Sequence, residues 1–226
     1  MGHKVHPKAF RLAVLRNWES RWFVRGKQLA ICLRQDVEIR SFLSRALKEA
    51  LLDEIEIERT RQNMTITIYA AKPGFIIGRA GAGIDDLKKK IKERFFRGKS
   101  TTFQINIKEV QRPALSAQIV AQQMVFDIEK RLPFRRTMKQ AIERVLKAGA
   151  VGVKVSMAGR LNGAEIARIE KLAQGKIPMH NLRSDIQFAR VAAHTTYGAI
   201  GIKVWINRGE IFRKQDEKES SEKTSF

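Results

Sequence analysis

Lys72-Pro73-Gly74-Phe75-Ile76-Ile77-Gly78-Arg79-Ala80-Gly81-Ala82-Gly83-Ile84-Asp85-Asp86-Leu87 is the stretch on which the fold turns. Pro73 to Ile77 reads as a short helical piece. A longer helix is expected over 84–96, with Ile84, Leu87, Ile91 and Phe95 on one face and Lys88, Lys89, Lys90, Lys92 and Arg94 on the other. Between the two lies Gly78-Arg79-Ala80-Gly81. Two glycines there let the backbone turn tightly and approach another backbone closely. The helix that follows offers unpaired N–H groups and its positive end to phosphates. Other glycine motifs do not fit. A dinucleotide fingerprint through Gly81 and Gly83 has Asp86 where a third small residue belongs. Gly98-Lys99-Ser100 imitates the end of a Walker loop, but Glu93 stands at its first glycine and the segment leaves a helix, not a strand.

Upstream, Asp36 has the chemistry of an N-cap for a helix over 37–51, where Leu43, Ala46, Leu47, Ala50 and Leu51 recur at helical spacing. Ile55–Glu58 and Thr65–Tyr69 alternate with period two across a short polar turn, and Phe103–Ile107 forms a third strand. The GxxG turn set between two helices in this order reads as a KH domain of the second (prokaryotic) topology, a clamp for a few linked nucleotides.

Gln111-Arg112-Pro113 marks a boundary. Beyond it two helices are expected, 114–131 and 133–148, with Pro133 suited to a first turn. Strands follow at Val151–Met157, Glu165–Leu172, Asp185–His194 and Ala199–Ile206. The expected fold class is α+β: an N-terminal type II KH domain, then a C-terminal domain of two helices packed on a mostly antiparallel four-stranded sheet. The divisions are a basic arm over 1–35, the KH domain over 36–110, the C-terminal domain over 111–212, and a polar tail over 213–226 expected to be disordered.

Charge decides the function class. The 226 residues carry 44 Lys and Arg against 23 Asp and Glu, a net charge of +21. Such an excess opposes compaction unless a polyanion neutralises it, and nucleic acid is the usual one. A membrane surface would call for a basic amphipathic helix with an open apolar face or a lipid anchor; His6 stands where a myristoylation signal needs Ser or Thr. No apolar run is long enough to span a bilayer, and the basic start lacks a signal-peptide core. Through residue 34 the arm mixes basic residues with Trp18, Trp22 and Phe23, rings that either stack on RNA or anchor the arm to the domain. In the helix after Pro133, Phe134, Met138, Ala141, Ile142 and Val145 form the buried stripe. Arg135, Arg136, Lys139 and Lys147 then project from the other side, a ridge short of neighbouring acids that reads as a phosphate track.

Nothing recognisable performs catalysis. The lone Cys32 forbids an internal disulfide or a multi-cysteine zinc site and is expected to be a small buried hydrophobe. His3, His6, His180 and His194 lack Cys partners, and Asp85-Asp86 suits a helix dipole better than magnesium. No cofactor, metal or small-molecule substrate is expected. An enzymatic reading needs a nucleotide loop or metal carboxylates that are not visible. A free KH-containing RNA factor should bring a further RNA module, which the chain lacks.

Several blocks resemble one family. Met1-Gly2-His3-Lys4-Val5-His6-Pro7 with Arg11-Leu12 and Trp22-Phe23, then Lys72-Pro73-Gly74-Phe75-Ile76-Ile77-Gly78, are similar to the bacterial-type protein three of the small ribosomal subunit. So are Gly159-Arg160-Leu161-Asn162-Gly163-Ala164-Glu165-Ile166-Ala167-Arg168, Leu182–Ile186, His194–Gly198 and Ile202–Ile206. The resemblance implies a cytoplasmic ribosomal protein on the head of the small subunit, bound to its RNA and neighbouring proteins ten and fourteen. It also implies a position where messenger RNA enters its channel, with Arg135, Arg136 and Lys139 gripping and unwinding the incoming strand. Contacts to ribosomal RNA are expected from Lys4, His6, Arg11, Lys72, Arg160, Arg168, Arg183 and Arg190. The chain departs from the pattern at Ala80 and Gln140, where basic residues are common in the family, and in its short neutral tail.

Overall fold

The computed structural model describes residues 4–60, 63–78, 81–96 and 102–212. Met1 to His3, Arg79, Ala80, Gly98-Lys99-Ser100 and the expected polar tail lie outside the described residues.

The chain begins with α1 (Pro7–Phe10) and β1 (Ser20–Arg21), followed by α2 (Lys27–Ala46). A single 3-10 turn, Lys48–Ala50, leads to β2 (Leu52–Arg59) and β3 (Asn63–Ala70). Then come α3 (Gly74–Ile77), α4 (Ala82–Phe95) and β4 (Thr102–Glu109). These strands form one sheet in the order β1-β2-β3-β4. β2 and β3 are antiparallel, whereas β4 runs parallel to β3, with Ile66 opposite Ile105. The period-two apolar residues Ile55, Ile57, Ile66 and Ile68 meet Ile39 and Leu43 of α2 and Leu87 and Ile91 of α4 in one core.

The second half contains α5 (Ala117–Glu129), α6 (Phe134–Lys147), β5 (Gly152–Gly159), β6 (Arg168–Gly175), β7 (Ser184–Thr195) and β8 (Gly198–Glu210). Its sheet is antiparallel throughout, in the order β6-β5-β8-β7. α5 and α6 cover one face of it, packing Met124, Met138, Ile142 and Val145 on Val153, Val155, Ile202 and Val204. The α+β class and the two sheets agree with the sequence reading.

Asp36 is not a cap. It lies within α2, is buried, and its carboxylate accepts from Trp22 Nε1 at 2.7 Å, from Ser20 Oγ at 3.2 Å and from the Arg59 guanidinium. A carboxylate this occupied has no lone pair to spare for helix-end N–H groups. The helix instead starts at Lys27, because Lys27 to Arg34 are mostly good helix formers with no breaker. It therefore crosses the expected arm boundary at 35. Cys32, expected to be buried, is half-buried on this projecting part of the helix.

The arm is also not the free RNA-facing segment its composition suggests. β1 adds a strand to the first sheet, parallel to β2. Trp22 anchors it, whereas Trp18 stays exposed. Arg11, expected to touch RNA, is 0% exposed. Its guanidinium donates to the carbonyls of Pro7, Pro178, Met179 and Asn181, four oxygens that no phosphate could replace without unfolding the loop. Arg16 bridges Glu54 at 3.3 Å and Asp185 at 3.1 Å, one acid from each half of the chain, and Lys8 adds a contact to Glu54 at 3.0 Å. Ser116 bonds Asp53 and Gln122 donates to Leu52 O, which closes the same junction, while Arg208 donates to Leu115 O within the second half.

Replacing Arg11 with Met should strand those carbonyls and destabilise the chain by about 2–4 kcal/mol, read from urea denaturation. Burial pushes the Glu54 carboxyl up, but Lys8 and Arg16 outweigh it and hold the group below its ordinary value. A carboxyl depressed in the folded state adds stability above its unfolded pKa and loses it as pH falls through the folded one. Glu54→Gln should accordingly cost stability at neutral pH. The gap from the parent protein in urea midpoint should close on acidification below the carboxylate range.

Candidate nucleic-acid interface

The glycine turn is built by close backbone approach. α3 ends at Gly78, with φ 70°, and α4 begins after Gly81, with φ 84°. Both values favour glycine. A Cβ on Gly83 would fall 2.6 Å from Ile76 O, so α3 and α4 meet as closely as they do only because residue 83 lacks a side chain. Of the four expected loop residues, Gly78 and Gly81 thus take positive-φ turn conformations, while Arg79 and Ala80 lie outside the described residues. Asp85 occupies the first turn of α4, where it complements the dipole, with Lys88 at 3.9 Å.

Sequence reasoning missed the lip of this turn. Phe75 is 62% exposed, Ile77 is also exposed, and the expected contact Lys72 places its ammonium 5.6 Å from the Phe75 ring centre. An exposed aromatic ring next to a glycine turn is a stacking surface for a base. The available signal was that Phe75 lies outside the apolar stripe of either helix.

On α6 the two faces separate as the spacing implies. Phe134, Met138, Ala141, Ile142 and Val145 are buried; Arg135, Arg136, Lys139 and Lys147 are exposed. Phe134 N donates to Asn162 Oδ1 at 3.4 Å, so the turn after β5 helps fix the start of the helix. Arg168, on β6, joins this ridge: its guanidinium and that of Arg135 lie 5.5 Å and 5.8 Å from the same Phe134 ring. Glu170 tempers the ridge, at 3.3 Å from Arg168 and 4.0 Å from Arg135. Arg136 and Lys139 have no acidic partner among the described residues.

The remaining expected contacts are dispersed. Arg160 donates from Nε to Ala164 O at 2.9 Å and lies over Tyr197, beside a cavity of about 420 Å³ between the α5–α6 turn and the β7–β8 turn. Arg183 is exposed near Phe212. Lys4 and Arg190 are exposed. His6 caps α1, its Nδ1 accepting from Ala9 N at 3.4 Å, and its ring meets Phe188 edge-on at 4.9 Å. Burial first, and Lys8 second, lower its pKa, which favours a neutral ring over a cation for phosphate. Among the described residues no group of His, Cys, Asp and Glu is arranged to hold a metal, and no helix is long and apolar enough to cross a membrane.

A glycine clamp with an aromatic lip on one sheet and a cationic helix on another define a two-part RNA-binding protein of the KH class. A KH domain profile matches residues 38–115, and a profile for the C-terminal domain of ribosomal protein S3 matches residues 124–206. Small ribosomal subunit protein uS3 of Syntrophomonas wolfei is 45% identical over 99% of this chain and 97% of its own length. The corresponding proteins of Laribacter hongkongensis and Caldicellulosiruptor bescii are 44% and 46% identical over 93% of this chain, covering 89% and 94% of theirs. The chain belongs to the uS3 family of small ribosomal subunit proteins, which is structural and not enzymatic.

Gly83→Ala should force α3 and α4 apart and destabilise the first half of the chain by about 1–3 kcal/mol. The expected observation is loss of amide-exchange protection in α4 and β4, with protection in β5 and β8 retained.

Proposed function

We propose that this protein is a structural constituent of the small ribosomal subunit, binds its RNA, and presents α6 to messenger RNA where it enters the subunit. The observation that carries the reading is α6 itself. Its buried stripe fixes the helix on the sheet, so Arg135, Arg136 and Lys139 stand at set positions on the opposite side, with Arg168 alongside. Fixed cations hold a single-stranded backbone without reading its sequence. They disfavour re-pairing of a strand already opened, while translocation supplies the work.

The division of labour follows from chemistry. The glycine turn with Lys72 and Phe75 clamps single-stranded RNA; the exposed Lys4, Arg183 and Arg190 and the half-buried Arg160 are cations for ribosomal RNA. Arg11 is left out of this set because it is buried, and His6 because its role is capping. The place on the subunit head, the neighbouring proteins ten and fourteen, and the cytoplasmic ribosome as location come from the family resemblance. The boundaries proposed are a strap through residue 26, the KH unit from α2 to residue 110, and the C-terminal unit over 111–212.

Changing Arg135, Arg136 and Lys139 together to Ala should slow translation through structured messengers more than through unstructured ones, measured as elongation time across a hairpin. Equal slowing on both would reject the unwinding role. Sucrose-gradient profiles should show the protein co-migrating stoichiometrically with small subunits.

A further inference from the structure

On the face of the C-terminal sheet turned away from α5 and α6, only Arg190 has so far been given a role, as a cation for ribosomal RNA. Its residues follow from register. Val155, Met157, Ile202, Val204 and Ala189 point into the core, so their neighbours point outward. Ser156 pairs with Lys171 on one side and Lys203 on the other, and Lys203 pairs with Arg190. A row Lys171-Ser156-Lys203-Arg190 therefore crosses all four strands, spanning roughly 14 Å at the usual strand spacing. The next row along the strands is Lys154-Trp205-Phe188, and the row on the other side is Ile169 followed by Ala158, Gly201 and Ala192. None of these positions is acidic. Lys171, Lys203 and Arg190 are exposed, and none of the three has an ion-pair partner among the described residues.

The aromatic row disfavours one kind of ligand. Trp205 lies 5.2 Å from Phe188 and is covered by Lys154, whose ammonium is 5.5 Å from its ring; His6 meets Phe188 edge-on. The rings pack on one another and lie half-buried, so they offer bases less to stack on than the exposed Phe75. A line of cations with no acid in the adjoining rows fits phosphate backbone presented on the outside of a helix. Lys154 is crowded as well: burial, then Lys4 and Lys171, lower its pKa, which marks Lys4 as an added cation at the edge of this face.

We infer that the outer face of the β6-β5-β8-β7 sheet is a docking platform for the phosphate backbone of double-helical RNA, with Lys171, Lys203 and Arg190 as its contacts. The inference rests on the proposed RNA-binding role and adds the class of RNA and the surface. It also gives the domain two opposed RNA faces. The sheet holds a fixed duplex, and α6, on the other side of the same sheet, stays free for a moving single strand.

The test uses the full chain with two fluorescent probes, an RNA duplex of about 20 base pairs and a single strand without self-complementarity, titrated at several salt concentrations. Lys171→Gln, Lys203→Gln and Arg190→Gln combined should weaken duplex binding at least about tenfold and lower the salt slope by about 2–3, while single-strand affinity stays within about twofold. Lys203→Glu alone should give a smaller loss of the same kind. The Arg135, Arg136 and Lys139 to Ala variant should show the opposite pattern. Duplex affinity and slope unchanged in the triple Gln protein, with its thermal melt intact, would overturn the platform alone. A wild-type chain that binds neither probe would overturn both the platform and the function it rests on.

Discussion

Where the acids go governs this structure. The chain has about half as many carboxylates as cations, and the fold places several of them at internal junctions. Asp36 ties α2 to β1 and β2, while Glu54 and Asp185 receive Arg16 from opposite halves of the molecule. Each such acid is satisfied by more than one donor, which a half-buried carboxylate needs if it is to remain charged. The consequence is felt at the surface. With these acids used inside, the exposed face of α6 and the outer face of the second sheet are left short of negative charge.

The same junction explains why the N-terminal strap is necessary. Two sheets with separate cores have little reason to hold a fixed relation unless something crosses between them. Arg16 does so directly, reaching Glu54 and Asp185, and Arg11 ties the strap to the C-terminal half; the forked donors of a guanidinium reach several acceptors at once. A rigid relation between the glycine clamp and the α6 ridge is of use to a protein that must hold one RNA while another moves past it. In that setting basic residues serve as mortar as well as ligand, and composition alone does not separate the two roles.

Arg11 and Lys139 illustrate the difference. Both are basic residues in basic neighbourhoods. The 3.6-residue period of α6 puts Lys139 opposite the apolar stripe, so its exposure follows from local spacing. Arg11 is buried because a loop some 170 residues later turns its carbonyls toward it. No local pattern carries that information. Asp36 was misleading for the same reason: its chemistry suits a cap, and its actual partners, Trp22 and Arg59, are brought to it by strand pairing.

The sequence by itself determined the element order beyond the N-terminal strap, the α+β class, the glycine turn between α3 and α4, and the cationic side of α6. All of these rest on interactions within a few residues or on periodicities of two and 3.6. Tertiary structure alone decided which cations are internal, that Arg168 stands beside Arg135 over Phe134, and that Lys171, Lys203 and Arg190 line up across the second sheet. Those alignments depend on strand register between segments far apart in the chain. Register is set by the core packing of whole elements and is not written in any one of them.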